Sequence, residues 1–227
     1  MQLHADFTQR AAVHAAQLPW APSPVAGIER RMLDRIGAEV ARATSIVRYA
    51  PDSLFTPHTH GGGEEFLVLD GVFSDEHGDF PAGSYIRNPP TSRHTPGSKD
   101  GCIIYVKLWQ FDPTDRTALR KDTNTLLYQD VATRPGVALA QIYQDQGENV
   151  RLEKWTSDAD ITLADSGGIE ILVLDGSFTE HGESFSHQSW LRLPIGATLH
   201  ATAGKEGCRV LIKTGHLAAF QSGPVPV

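Results

Sequence analysis

Residues 58 to 65, "HTHGGGEE", crowd two histidines, three glycines and two glutamates into a chain with ten histidines in all. Imidazole and carboxylate are donors for divalent ions, so the spacing of these side chains decides whether they can act together. On an extended segment residues i and i+2 share a face, which makes His58 and His60 a chelating pair. Glu64 follows Gly61, Gly62 and Gly63, whose backbone freedom allows a tight turn that brings a carboxylate back towards the pair. Glu65 competes for that role, but strand alternation sends it to the opposite face. A fourth candidate is His94 in "RNPPTSRHTPGS", placed after a proline-fixed stretch. An isolated His-x-His is usually a pair of partly exposed side chains, so the metal reading depends on this wider context.

The elements that must position these residues occur twice. "EEFLVLDGVF" (64 to 73) is answered by "IEILVLDGSF" (169 to 178), "SYIRNP" (84 to 89) by "SWLRLP" (189 to 194), and "GC" at 101 to 102 by "GC" at 207 to 208. Gly71 to Gly176 is a step of 105 residues and Cys102 to Cys208 one of 106, the mark of a duplicated domain. Short apolar or alternating runs such as "ATSIVRYA", "EFLVLDGVF" and "CIIYVKLWQF" are bounded by Gly, Pro, Asp and Ser, as in an antiparallel sandwich or small barrel. Both "AGIERRMLDRIG" (26 to 37) and its counterpart "GVALAQIYQDQG" read as strands. The linker falls near "DPTDRTALRKDTNT" (112 to 125).

The spacing His-x-His-x3-Glu-x6-Gly at His58, His60, Glu64 and Gly71, with His94 thirty positions after the glutamate, is the cupin signature. The stretch from 58 to 96 resembles the ChrR-type cupin family. That resemblance implies an all-β chain of two tandem cupin (double-stranded β-helix, jelly-roll) barrels, with a metal in the barrel mouth. It also implies that His58, His60, Glu64 and His94 coordinate one divalent ion. On this reading residues 1–115 form a metal-binding cupin domain and 116–227 a degenerate one. Ungapped alignment on "LDG" puts Leu163, Asp165 and Ile169 where His58, His60 and Glu64 stand, with Glu170 where Glu65 stands. His200 answers His94 when both are counted back from the cysteine, and a lone histidine reads as packed or hydrogen-bonded. One metal per chain is expected.

Three imidazoles and a carboxylate suit Zn(II), Fe(II), Mn(II) or Ni(II), and spacing does not choose among them. A tetrahedral zinc held by all four ligands is closed and points to a structural or regulatory site. Six-coordinate iron leaves positions for dioxygen and a chelating diketone or hydroxyketone. The family resemblance divides the same way: ChrR-type cupins form the C-terminal half of zinc-dependent anti-sigma factors linked to oxidative stress, and similar stand-alone cupins include non-haem iron dioxygenases. Ahead of the first copy there is no His-x3-Cys-x2-Cys element, so direct sigma-factor binding is not expected. The expectation is a two-cupin protein that binds or transforms a small oxygenated molecule at a 3-His/1-Glu site, as a metal-dependent dioxygenase in its enzymatic version. The alternative is a zinc-binding sensory module that signals to a protein partner. Catalytic residues are not assigned.

A formal charge of −7, from 20 basic and 27 acidic residues, with no basic cluster, argues against nucleic acid as a partner. The longest apolar runs fall far short of a membrane span, and the N-terminus does not read as a secretory signal, so a cytoplasmic protein is expected. Cys102 and Cys208 sit in apolar runs, as buried inert thiols do. His77 and His181 fall at glycine-containing turns, and His187 and His216 have no partner motif. Phe66, Val68 and Tyr85 are candidates for the pocket wall by parity. A homodimer through the N-terminal strands is compatible with the sequence.

Overall fold

A computed structural model describes residues 1–38 and 40–220. The chain is almost entirely antiparallel β-structure arranged as two compact units. Both "AGIERRMLDRIG" and its counterpart form strands, Ile28–Gly37 and Val137–Gln144. Among the described residues no helix is long and apolar enough to cross a membrane.

One unit comprises Met1–Ala5 and Leu18–Thr125. Its large sheet runs in the order Gln2–Leu3, Ile28–Gly37, Ala41–Tyr49, Cys102–Leu108, Glu64–Asp75, Ser84–Asn88 and Leu119–Asp122. One face carries the alternate residues Phe66, Val68, Phe73, Ile86, Ile104 and Val106, which form the core. Removing each such side chain from water contributes on the order of 1.5–3 kcal/mol, which fixes which face of each strand turns inward.

The other unit comprises Asp6–Gln17 and, among the described residues, 126–220. Its sheet runs Gln129–Asp130, Val137–Gln144, Asn149–Trp155, Thr198–Thr214, Ile169–Glu180, Ser189–Leu193 and Ala11–His14. The strand beside Ser84–Asn88 follows the first repeat in sequence, whereas the strand beside Ser189–Leu193 is taken from the start of the chain. Residues 116–125 and the arm Asp6–Gln17 therefore group otherwise than a single cut at residue 115 would place them.

Both copies of "LDG" share one irregularity. The ladder steps over Leu69 in the first unit and Leu174 in the second. Gly71 and Gly176 follow with φ of 69° and 68°. A Cβ at either position would sit 2.2 Å from the carbonyl oxygen of Gly101 or Gly207, so only glycine fits this bulge.

The opposite face of each sheet carries a buried charged row. Arg87, Glu65 and Lys107 are direct cross-strand partners, as are Arg192, Glu170 and Lys213. Tyr85 donates to Glu65 at 2.5 Å, and in the equivalent place Trp190 Nε1 donates to Glu170 at 2.7 Å. Glu170 also meets His216 Nε2 at 3.0 Å, a partner in the fold that the sequence does not reveal. Both cysteines are free, and burial pushes the Cys102 thiol up to about 11 and that of Cys208 to about 12, leaving them unreactive.

Candidate metal centre

The first unit gathers His58, His60 and His94 so that one ring nitrogen from each lies within 4.8 Å of the others. The three rings are 4.7–5.2 Å apart between centroids and tilted steeply to one another. Glu64 Oε2 lies 3.5 Å from His60 Nε2 and 3.4 Å from His94 Nε2. Both of those nitrogens are buried and have no hydrogen-bond partner. A buried orphan nitrogen costs roughly 1–3 kcal/mol, so two aimed at one carboxylate are the arrangement that a bound cation would satisfy. The donor set therefore fits a divalent ion.

Short-range geometry explains how these groups meet. His58 and Thr59 form a two-residue strand against Arg93 and His94, with His58 and His94 as direct partners. Ahead of it, Thr91 takes a φ of 75°, which closes the turn after Pro89 and Pro90. His60 lies just past the strand, its amide held by the Ser92 carbonyl at 2.9 Å. Of the three consecutive glycines only Gly63 uses a left-handed backbone, at φ 77°. Gly61 and Gly62 are needed for a different reason: a Cβ on either would strike the indole of Trp109, at 2.9 and 2.4 Å.

Groups behind the cluster orient it. His94 Nδ1 donates to Asp75 Oδ2 at 3.1 Å, and His58 Nδ1 to the Thr56 carbonyl at 3.1 Å, which leaves Nε2 of each ring as the free electron pair. Asn88 Nδ2 donates to Glu64 Oε2 at 3.2 Å. Burial pulls the His94 pKa down, but the Asp75 hydrogen bond and nearby carboxylates outweigh it and raise the value. For His60, burial dominates over Glu64 and lowers it. Burial would raise Asp75, yet its bonds to His94 and the His77 amide hold it below the usual range. Asp75, Asn88 and Thr56 escape sequence reasoning because cross-strand register, not local spacing, brings Asp75 and Asn88 to the site.

A cavity of about 360 Å³ opens beside the cluster, lined by His58, His60 and Glu64. Its apolar wall comes from Val47, Tyr49, Phe55, Ile104, Val106 and Trp109. Phe66 and Val68 belong instead to the packed core, and Tyr85 faces the other side of the sheet with Glu65. Parity placed the two core residues on the correct face but could not tell core from cavity; Tyr85 shares a strand with Ile86, which takes the core side.

In the second unit the positions answering His58, Glu64 and His94 are apolar, and Asp165 stands at that of His60. Leu163 is the direct partner of Leu199, and both pack in the core with Ile169 and Leu193. The ladder thus sets Leu199 opposite Leu163 as His94 stands opposite His58, while His200 points to solvent. Its assignment as the counterpart of His94, and as a packed side chain, is corrected by this one-residue register.

Comparison with known proteins agrees with the architecture. A family model described as the ChrR Cupin-like domain matches residues 8–112. No curated protein matches the chain in sequence. Among solved structures, a proposed dioxygenase from Nostoc punctiforme aligns with a TM-score of 0.74 at 14% identity, covering 93% of this chain and 84% of its own. The Escherichia coli protein YlbA aligns at 0.69 with 12% identity, covering 92% of both chains. The bacterial pirin YhhW of Escherichia coli, solved with nickel(II), aligns at 0.66 with 14% identity, covering 91% of this chain and 99% of its own. At these identities the likeness concerns the fold: a two-barrel cupin architecture with a ChrR-like region in its first half.

Proposed function

We propose that this chain binds one divalent metal ion through His58, His60, Glu64 and His94 and takes up a small oxygenated molecule beside it. The observation that carries the reading is the pair of buried, unpartnered Nε2 atoms of His60 and His94 flanking Glu64 Oε2. Bound there, zinc or nickel supplies Lewis acidity, and iron(II) or manganese(II) adds redox chemistry. The protein's own part is to hold the imidazoles in one tautomer through Asp75 and Thr56, to orient Glu64 through Asn88, and to keep water away with Phe55, Ile104 and Val106.

The open cavity favours a ligand-binding centre over a closed structural one, and a dioxygenase acting on a diketone or hydroxyketone is the enzymatic form of this reading. The match of residues 8–112 to the ChrR cupin-like domain favours a second form, a zinc-binding sensory module in the cytoplasm that signals to a protein partner.

Metal analysis of untagged protein purified without oxygen, with His58→Ala and His94→Ala alongside, tests the reading. About one ion per chain, lost in both variants, is expected. Iron would direct the next step to oxygen uptake with diketones, and zinc to partner capture. No ion in the wild type after reconstitution with iron, zinc, nickel and manganese would sink the proposal.

A further inference from the structure

The cavity beside the histidines has a cation on its wall with no partner among the described residues. Arg30 lines it, and the Arg30 Nε is buried without a hydrogen bond. Its neighbours in the ladder are Val47 and Ala21, neither of which offers an acceptor side chain. The adjacent acid, Glu29, is committed through Oε2 to both Nε and Nη2 of Arg48 on the other face of the strand. Arg35, the other arginine of the cavity, donates to the Ala38 carbonyl. Glu64, the cavity's carboxylate, lies against His60, His94 and Asn88. Arg30 therefore lines a largely apolar chamber with a buried guanidinium donor unspent, and such a group pairs best with a planar anion that takes two parallel hydrogen bonds.

The second unit supplies a contrast. Arg30 stands opposite Val47, and in the equivalent ladder Leu139 stands opposite Glu153. The copy without the histidine cluster also has no arginine at this position.

We propose that Arg30 anchors the carboxylate of a small organic acid in this cavity, with the acid's apolar body lying along Val47, Ile104 and Val106 towards the histidine cluster. The inference rests on the reading of the cavity as a ligand chamber and names the ligand's class. A volume of about 360 Å³ suits a short-chain acid and sits at the small end of ligand pockets.

The test is calorimetric titration of hexanoate, hexanamide and hexylamine into the full chain, both stripped of metal and loaded with zinc. Hexanoate is expected to bind the stripped protein at least about tenfold more tightly than hexanamide, and hexylamine not to bind. Arg30→Gln should remove that preference, and Arg30→Lys should keep part of it. Metal content and melting temperature of Arg30→Gln should match the wild type. Equal binding of acid and amide, no binding of hexanoate to either form, or unchanged affinity in Arg30→Gln would overturn the inference. Hexanoate bound only to the zinc form and indifferent to Arg30 would mean ligation to the ion, which defeats the anion anchor and leaves the metal reading standing. Arg30-dependent binding in a chain that takes up no ion would do the reverse.

Discussion

The two units place different chemistry on one ladder. In the first, His58 stands opposite His94 and Glu64 opposite Asn88; in the second, Leu163 stands opposite Leu199 and Ile169 opposite Leu193. Polar pairs have become apolar pairs while the bulge, its glycine and the outer row of charges are the same in both. The barrel therefore does not need the site. A core of paired leucines is the more stable filling, because it leaves no buried nitrogen without a partner. That the first unit retains such nitrogens argues that they serve binding.

The most drastic way to break the contrast is to give the first unit the second unit's residues. The double variant His58→Leu/His94→Leu is expected to lose its metal altogether, from about one ion per chain to none. Without metal its stability should stay within about 1 kcal/mol of the metal-free wild type, since the gain from replacing an orphan imidazole acceptor by an apolar cross-strand pair is offset by stripping the buried Asp75 carboxylate of its His94 partner. Metal analysis and urea denaturation of the two stripped proteins measure both effects. A double variant destabilised beyond that range would show that the histidines contribute to the fold itself.

The reverse exchange is the next largest. Leu199 is fully buried, so Leu199→His places an imidazole in the second core and should cost about 2–5 kcal/mol in denaturant unfolding without gaining a metal. His200→Leu, one residue on and exposed, should change stability by less than about 0.5 kcal/mol. Comparable losses from both would contradict the register that pairs Leu199 with Leu163.

That pair of variants also marks the limit of what the sequence discloses. His58, His60, Glu64 and His94 stand out because their spacing is local and their residue types are uncommon in such density. The barrels are legible because apolar alternation recurs at a near-constant offset. His200 misleads because the offset passes from 105 to 106 before Cys208, and a slip of one residue moves a side chain to the other face of a strand. Asp75, Asn88, Trp109 and Arg30 are invisible in sequence for a related reason. Each reaches the site through cross-strand pairing or loop packing, which no short motif encodes.

A smaller effect is expected behind the site. Asp75→Asn keeps the shape but removes the charge that holds His94 Nδ1–H, and should weaken metal binding about 10–100-fold with little change in fold. Competition with a chelator of known affinity measures it. An unchanged affinity would mean that Asp75 only packs against the ring. In the second unit the equivalent Glu180 is bound to Arg10 at 2.6 Å, so Glu180→Gln should leave metal content untouched.

The gentlest probe acts through protons on the second unit alone. At the register position of Val47, which lines the cavity of the first unit, the second carries Glu153, fully buried. Burial raises its pKa, but donors from Arg134 (2.7 and 2.8 Å), Arg151 (2.8 Å) and Trp155 Nε1 (2.8 Å) outweigh it and hold the carboxyl below its ordinary 4.5. Near pH 4.5 the unfolded chain then binds more protons at this group than the folded one. Its contribution to stability is complete above that range and is lost as pH falls through 4.5 and on through the lower folded value. Partly exposed Glu183, also lowered by Arg10, adds less because water screens it. In a Trp20→Phe/Trp109→Phe background the remaining tryptophans, Trp155 and Trp190, report the second unit alone. Urea midpoints followed through them should fall between about pH 5 and pH 3, and Glu153→Gln, less stable at pH 7, should show a flatter acid limb. An equally steep limb in that variant would assign the acid sensitivity to other carboxylates and leave the Arg134–Glu153–Arg151 cluster as a neutral filling of the space that the first unit keeps open.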